Sequence, residues 1–230
     1  MNTCTTAEEI IRSLASSRNV CDKRKAHDIT GLIQAGSGEW KDRFYVAGFA
    51  NTGAAELAVV CYLQAAGLVW DGSGPAPHSN WLIALEIPQR YPLLMPVAKF
   101  LKQVPWNSHV FSKHFMPDNG LPPELQEMVR LVSHGWCCFL RHSQWSPDVR
   151  VMSLRTIVWQ ISRLLVQSKM AGEKNSLNAA ARDHALRRAQ AGEGPLGPPL
   201  PYPFDDAAQA AAAMAPQAEG DSGEIEWKEG

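Results

Sequence analysis

The chain has 230 residues, 45% of them hydrophobic and 20% charged, and its 22 lysines and arginines against 23 acidic residues leave a formal net charge of −1. That length can bury a full core in one domain of ordinary size, with something left over. Residues 201 to 230 hold seven acidic groups and one lysine, so the first 200 residues are net positive by five, far short of a nucleic-acid footprint.

The five cysteines, Cys4, Cys21, Cys61, Cys137 and Cys138, are an odd number that includes an adjacent pair. Thr6-Ala7-Glu8-Glu9 leaves no room for an N-terminal apolar signal region. No apolar run approaches the roughly 18 residues that would span a bilayer. The reading is a cytoplasmic protein with free thiols and no membrane partner.

In chain order, Thr6-x-x-Glu9 fits a capping box, and Ile10, Ile11 and Leu14 form one stripe, so a short helix is expected from Thr6 to about Leu14. It leads into a basic stretch, Arg18 to His27, read as a solvated face on or beside that helix. From Trp40 the period changes. Residues 43–49, 58–63 and 81–87 are short, β-branched or aromatic, and bounded by turns, which predicts strands. Tyr91-Pro92 and Pro96 cannot lie inside a helix, and extended chain resumes over 97–101. Strands so close in sequence favour an antiparallel meander. Residues 124–132 read as a helical turn or two. A long helix is expected after Pro147 and Asp148 to about Ser168, with Leu154, Ile157, Val158, Ile161, Leu164 and Leu165 on one face. Asn178 is a good N-cap for a last helix to Gln190. The fold class is therefore α+β: an N-terminal helix, an antiparallel meander sheet, a cysteine loop and C-terminal helices. Residues 1–190 form the domain. Residues 191–230, rich in proline, glycine, alanine and acid, are expected to be a mobile tail.

Between the sheet and the long helix lies Gly135-Trp136-Cys137-Cys138-Phe139-Leu140-Arg141-His142-Ser143-Gln144-Trp145-Ser146-Pro147. Free cysteines usually serve as small buried hydrophobes. A half-exposed thiol beside His134, Arg141 and His142 could instead form the nucleophilic thiolate. A zinc site from Cys137, Cys138, His134 and His142 lacks the usual two-residue spacer and a second pair, so no metal is expected. There is no glycine-rich phosphate loop either, so no cofactor is expected.

Four motifs in order, Tyr91-Pro92-x-x-x-Pro96, Asn107-Ser108-His109-Val110, Gly135-x-x-Cys138 with Trp145-Ser146-Pro147, and Leu177-Asn178 into a helix, resemble the catalytic core of the ubiquitin-conjugating enzymes over residues 6–190. The resemblance implies that family's fold. It implies a thioester carried from an activating enzyme, with a ubiquitin-like protein as the cargo and an amine, a lysine on a target protein, as the acceptor. Asn107-Ser108-His109 stands where the family has His-Pro-Asn, which places His109 at the oxyanion-supporting asparagine and Asn107 beside it. An imidazole can donate a hydrogen bond, so the role could survive the exchange. About twenty residues more than usual separate His109 from the cysteines. That spacing is similar to the divergent bacterial branch, found in operons with a ubiquitin-like protein, an activating enzyme and a deconjugating peptidase, where a role in antiphage defence would follow.

Two spacings differ over the nucleophile. Gly135-x-x-Cys138 matches the family's approach to its cysteine, whereas Cys137 lies at the common distance before Trp145; Cys138 is favoured. By the same resemblance the first helix with its nearby basic residues meets the activating enzyme, Trp145 and Pro147 shape the loop behind the site, and Asp148 orients the incoming lysine or depresses its pKa. Two rivals stand beside this reading. One is a non-catalytic binding module of the same fold for the ubiquitin-like protein or its activating enzyme. The other is a thiol hydrolase using Cys138 with His109 or His142.

Overall fold

A computed structural model describes residues 6–52, 55–115, 134–139, 145, 152–167 and 176–203. Helix α1 (Ala7–Ser16) starts as its sequence requires: Thr6 accepts the Glu9 amide while Glu9 reaches back to the Thr6 amide. Those two bonds satisfy donors that every helix start leaves without an intrahelical partner.

The basic stretch that follows is more than a solvated face. It opens an 18-residue helix, α2 (Val20–Ser37), capped by Asn19 and absent from the sequence-based expectation. Ala26, Ile29, Leu32 and Ala35 form its buried stripe. Lys25 is only 2% exposed and sits 3.2 Å from Asp22, so one of the cations assigned to a surface belongs to the interior. Counting charge alone hides such a helix, because its stripe is narrow and interrupted by Gly31 and Gly36.

The sheet is a five-stranded antiparallel meander, β1 (Phe44–Thr52), β2 (Ala55–Trp70), β3 (Pro75–Ile87), β4 (Val97–Phe100) and β5 (Trp136–Cys137), in spatial order of sequence. Period-two alternation places Val59, Cys61 and Leu63 of β2, and Trp81, Ile83, Leu85 and Ile87 of β3, on the covered face. Both strands run further than expected, to a turn between Trp70 and Pro75. The register shift between Gln64 and Gly67 breaks the alternation there, and the prolines near the turn look like loop punctuation. Gly67 is where the chain needs a missing side chain, since a Cβ would lie 2.8 Å from the Trp81 ring, whose Nε1 donates to the Ala65 carbonyl at 2.7 Å.

Helix α3 (Leu154–Gln167) packs its Ile157, Ile161, Leu164 and Leu165 stripe against the sheet beside α2. It begins later than its pattern suggested, at a turn where Ser153 Oγ accepts the Thr156 amide, and residues 146–151 lie outside the described set. Helix α4 (Ala179–Gln190) starts where expected, with Asn178 Oδ1 accepting the Ala181 amide.

Residues 191–203, assigned by composition to the tail, lie along the domain. Leu200 is 1% exposed, its amide donating to Ser162 Oγ at 3.0 Å. Trp40 Nε1 donates to the Pro201 carbonyl, and both terminal nitrogens of Arg43 donate to the Pro198 and Pro199 carbonyls. Tyr202 meets Trp159 edge to face. Prolines have no N–H but keep their carbonyls, so a proline-rich segment can be held entirely by donors from the domain. Residues 204–230 lie outside the described set.

Candidate functional site

The cysteine pair enters the sheet through a constrained turn. Gly135 has φ +87°, and a Cβ there would stand 2.4 Å from the Phe100 carbonyl oxygen, a place only glycine can occupy. From it the chain runs as an extended segment held on both sides. Toward β4, Phe100 donates to Gly135 at 2.9 Å, and Lys99 and Ala98 pair with Trp136 and Cys137. On the other side Gly135 donates to Phe111 at 2.9 Å, Phe111 to Trp136 at 2.8 Å, and Cys138 to the His109 carbonyl at 2.8 Å.

Successive side chains of an extended segment point to opposite faces. Gly135, Cys137 and Phe139 are buried; Trp136 and Cys138 are half-buried. Cys137, 2% exposed, belongs to the core, and burial first and the neighbouring Cys138 second push its thiol well above the usual range. Only a thiolate attacks readily. Native protein treated with a small alkylating reagent at neutral pH is therefore expected to modify Cys138 and to leave Cys137 and the buried Cys61 untouched. Mass spectrometry of the digested protein reads this, and faster labelling of Cys137 would contradict it.

His109 meets Cys138 twice. Besides accepting the cysteine amide on its carbonyl, it places ring Nδ1 3.1 Å from the Cys138 carbonyl oxygen. That oxygen can only accept, so Nδ1 carries the proton, and in the neutral ring Nε2 is left as the lone-pair nitrogen. A neutral His109 cannot then present a second N–H to an oxyanion, as the exchange for asparagine had suggested; what it does through Nδ1 is hold the cysteine backbone.

Asn107 is buried with its amide engaged at both ends, Nδ2 donating to the Leu164 carbonyl at 2.7 Å and Oδ1 accepting the His109 amide at 2.9 Å. The carbonyl of buried Ser108 accepts the Leu177 amide at 2.8 Å. Segment 107–109 is thus pinned to α3 by one side chain and to the start of α4 by one carbonyl, and Asn107 shapes the site through these bonds. Ser108 escaped sequence reasoning, because a residue working through its backbone carbonyl leaves no side-chain signal.

Trp145 lies apart from these residues in its bonding, with Nε1 donating to the Pro92 carbonyl at 2.7 Å and its ring tilted against Tyr91. Asp148, Arg141, His142 and Pro147 lie outside the described residues. His134 stands at the turn before Gly135, where Nδ1 accepts the Lys113 amide and the ring meets His114 edge to face. Burial first, then the charges of His114 and Lys113, hold it below the ordinary imidazole value, so it favours the neutral form. It adds little positive charge to the thiol's surroundings near neutral pH. A cavity of about 160 Å³ lies nearby, lined by Trp70, Trp106, Phe115, His114 and His134, and Cys138 is not among the residues around it. Among the described residues no three histidine, cysteine or acidic side chains come together as a metal site, and no helix is long and apolar enough to cross a membrane.

The site is thus a half-buried cysteine at the end of a short strand, backbone-locked to a histidine, in an α+β protein with an antiparallel meander. No protein-family model and no curated protein matches the chain. Solved structures similar to it include the yeast Vps23 UEV domain in complex with a Vps27 PSDP peptide, at 18% identity over 71% of this chain and 94% of that one, TM-score 0.37. A Trypanosoma cruzi chain assigned as a ubiquitin conjugating enzyme matches at 16% identity over 76% of this chain and 96% of its own, TM-score 0.45. A complex of the Vps23 UEV with ubiquitin matches at 15% identity over 68% and 93%, TM-score 0.35.

Proposed function

We propose that the protein is a ubiquitin-conjugating-type transferase whose Cys138 carries a ubiquitin-like protein as a thioester. The activating enzyme uses ATP to make its own thioester with the modifier's C-terminus. The Cys138 sulfur attacks that carbonyl, forming a new C–S bond as the old one breaks and the activating enzyme's thiol leaves. A lysine amine then attacks the Cys138 thioester; the C–N bond forms, the C–S bond breaks, the sulfur keeps the electron pair, and the amine's proton passes to solvent or a nearby base. Covalent transfer replaces one difficult acylation by two easier ones. Asp148 is the residue proposed to orient the lysine or lower its pKa, and the first helix with its basic neighbours is proposed to meet the activating enzyme. The lengthened stretch between His109 and Cys137 supports placing the protein in a bacterial operon-encoded conjugation system with a role in antiphage defence.

The observation that carries this reading is that of the two cysteines the pleat buries Cys137 and leaves Cys138 half-exposed, with Cys138 bonded in both directions to His109. Incubation with a cognate activating enzyme, ubiquitin-like protein and ATP is expected to yield an adduct on this chain that a thiol reductant removes. Absence of any adduct would favour the second reading, a non-catalytic binding module of the same fold. One observation favours that alternative: His109, in place of asparagine, has its Nδ1 proton committed to the cysteine carbonyl.

A further inference from the structure

The cavity near the start of the cysteine segment is framed by stretches of chain that are fastened through their backbones. The loop at 102–106 is held to the end of β2 by the Trp106 amide, which donates to the Leu68 carbonyl at 2.7 Å, and by the bridge between Val69 and Pro105. Residues 112–115 make a turn in which the Phe115 amide donates to the Ser112 carbonyl at 3.1 Å and the His114 amide to Ser112 Oγ at 3.3 Å. The Lys113 amide ties that turn to His134 by donating to its Nδ1 at 3.1 Å. A site held in this way is formed before anything enters it, so binding has little ordering to offset.

Its walls are of two kinds. Trp70, Trp106 and Phe115 make an aromatic corner, with Trp70 5.5 Å from Trp106 and edge to face with Phe115 at 5.2 Å. Lys102, His114 and His134 also line the cavity, and none of its described lining residues is acidic. Aromatic rings alone would suit a cation, which the negative ring faces attract. A lysine and two imidazoles with no carboxylate turn the preference to an anion. Because His134 Nδ1 accepts the Lys113 amide, Nε2 carries the proton of the neutral ring and can donate. Trp106 is 5% exposed, and among the described residues its buried Nε1 has no hydrogen-bond partner. An orphaned buried donor is a cost that an incoming oxygen removes. The volume of about 160 Å³ suits one aromatic ring, since a void of about 150 Å³ holds benzene.

We infer that this cavity is a binding site for a small aromatic carboxylate. The ligand's ring packs in the corner of Trp70, Trp106 and Phe115. Its carboxylate accepts from Trp106 Nε1 and the His134 ring, and Lys102 supplies positive charge at the rim. Cys138 is not among the lining residues, so the inference stands or falls apart from the transferase reading.

Benzoate titrated into the full chain tests it, followed by the proton–nitrogen NMR signal of the Trp106 indole. That signal should move downfield and saturate as the orphaned N–H gains a charged acceptor, with a dissociation constant on the order of 1 mM. Acetate, which lacks the ring, should bind at least about tenfold more weakly. Benzylamine, which reverses the charge, should leave the signal in place. Lys102→Ala and Trp70→Ala alter exposed side chains and should keep the rest of the spectrum. The first should weaken benzoate about threefold and the second about tenfold. An indole signal that benzoate does not move, equal binding of benzylamine, or an affinity for benzoate unchanged in both variants would overturn the inference.

Discussion

Gly135→Ala is expected to produce the largest combined loss of stability and activity of any single methyl addition at the described glycines. The new Cβ would sit 2.4 Å from the Phe100 carbonyl at a φ of +87°, so either β4 or the cysteine segment must move. A side chain held at positive φ costs about 1–3 kcal/mol, and overpacking against unyielding backbone adds about 1–3 kcal/mol more. The displaced atoms are those that pair Ala98 with Cys137 and Cys138 with His109, so the thiol loses its setting even in molecules that remain folded. Chemical denaturation should show a fall of about 3 kcal/mol, and adduct formation should drop at least about tenfold. A variant as stable and as readily charged as the wild type would mean that this register does not place the sulfur.

His109→Ala is the second. It removes the ring donor to the Cys138 carbonyl while sparing the backbone bond from Cys138 to residue 109. The charged protein should form, and its discharge onto lysine should slow by up to about a hundredfold, the scale of misplacing a reacting group by about an ångström. His109→Asn offers an amide N–H from a similar place and should restore most of the rate across the neutral range. Equal impairment of the alanine and asparagine variants would contradict a positioning role and point to chemistry that needs an imidazole.

Much of this architecture can be read in the letters because local signals and tertiary structure agree. The Thr6 and Glu9 capping box, the Asn178 cap, the alternation in β3 and the stripe of α3 each state one period and are met by one partner surface. The preference for Cys138 over Cys137 has a different source, the spacing Gly135-x-x-Cys138 that resembles the ubiquitin-conjugating enzymes; the burial of Gly135, Cys137 and Phe139 on the inner face of a strand is not part of that reading. Other features escaped because they act through backbone atoms or long-range pairing. Helix α2 hides behind Arg24, Lys25 and Asp28, whose charges are paired along the helix itself, Arg24 with Asp28 and Lys25 with Asp22, while Met152 and Tyr91 bond to Arg24 and Asp28 from across the fold. Residues 195–203 read as part of a mobile tail, since nothing in a proline-rich composition says that Trp40 and Arg43 will hold its carbonyls. The register that brings His109 to Cys138 spans 29 residues, beyond any local rule.

The proposed transfer depends on one sulfur. The charging reaction run in parallel on the wild type, Cys138→Ala and Cys137→Ala, with products resolved with and without reductant, tests it most directly. A reductant-sensitive adduct is expected on the wild type and on Cys137→Ala, and none on Cys138→Ala. An adduct that survives in Cys138→Ala and vanishes in Cys137→Ala would contradict it.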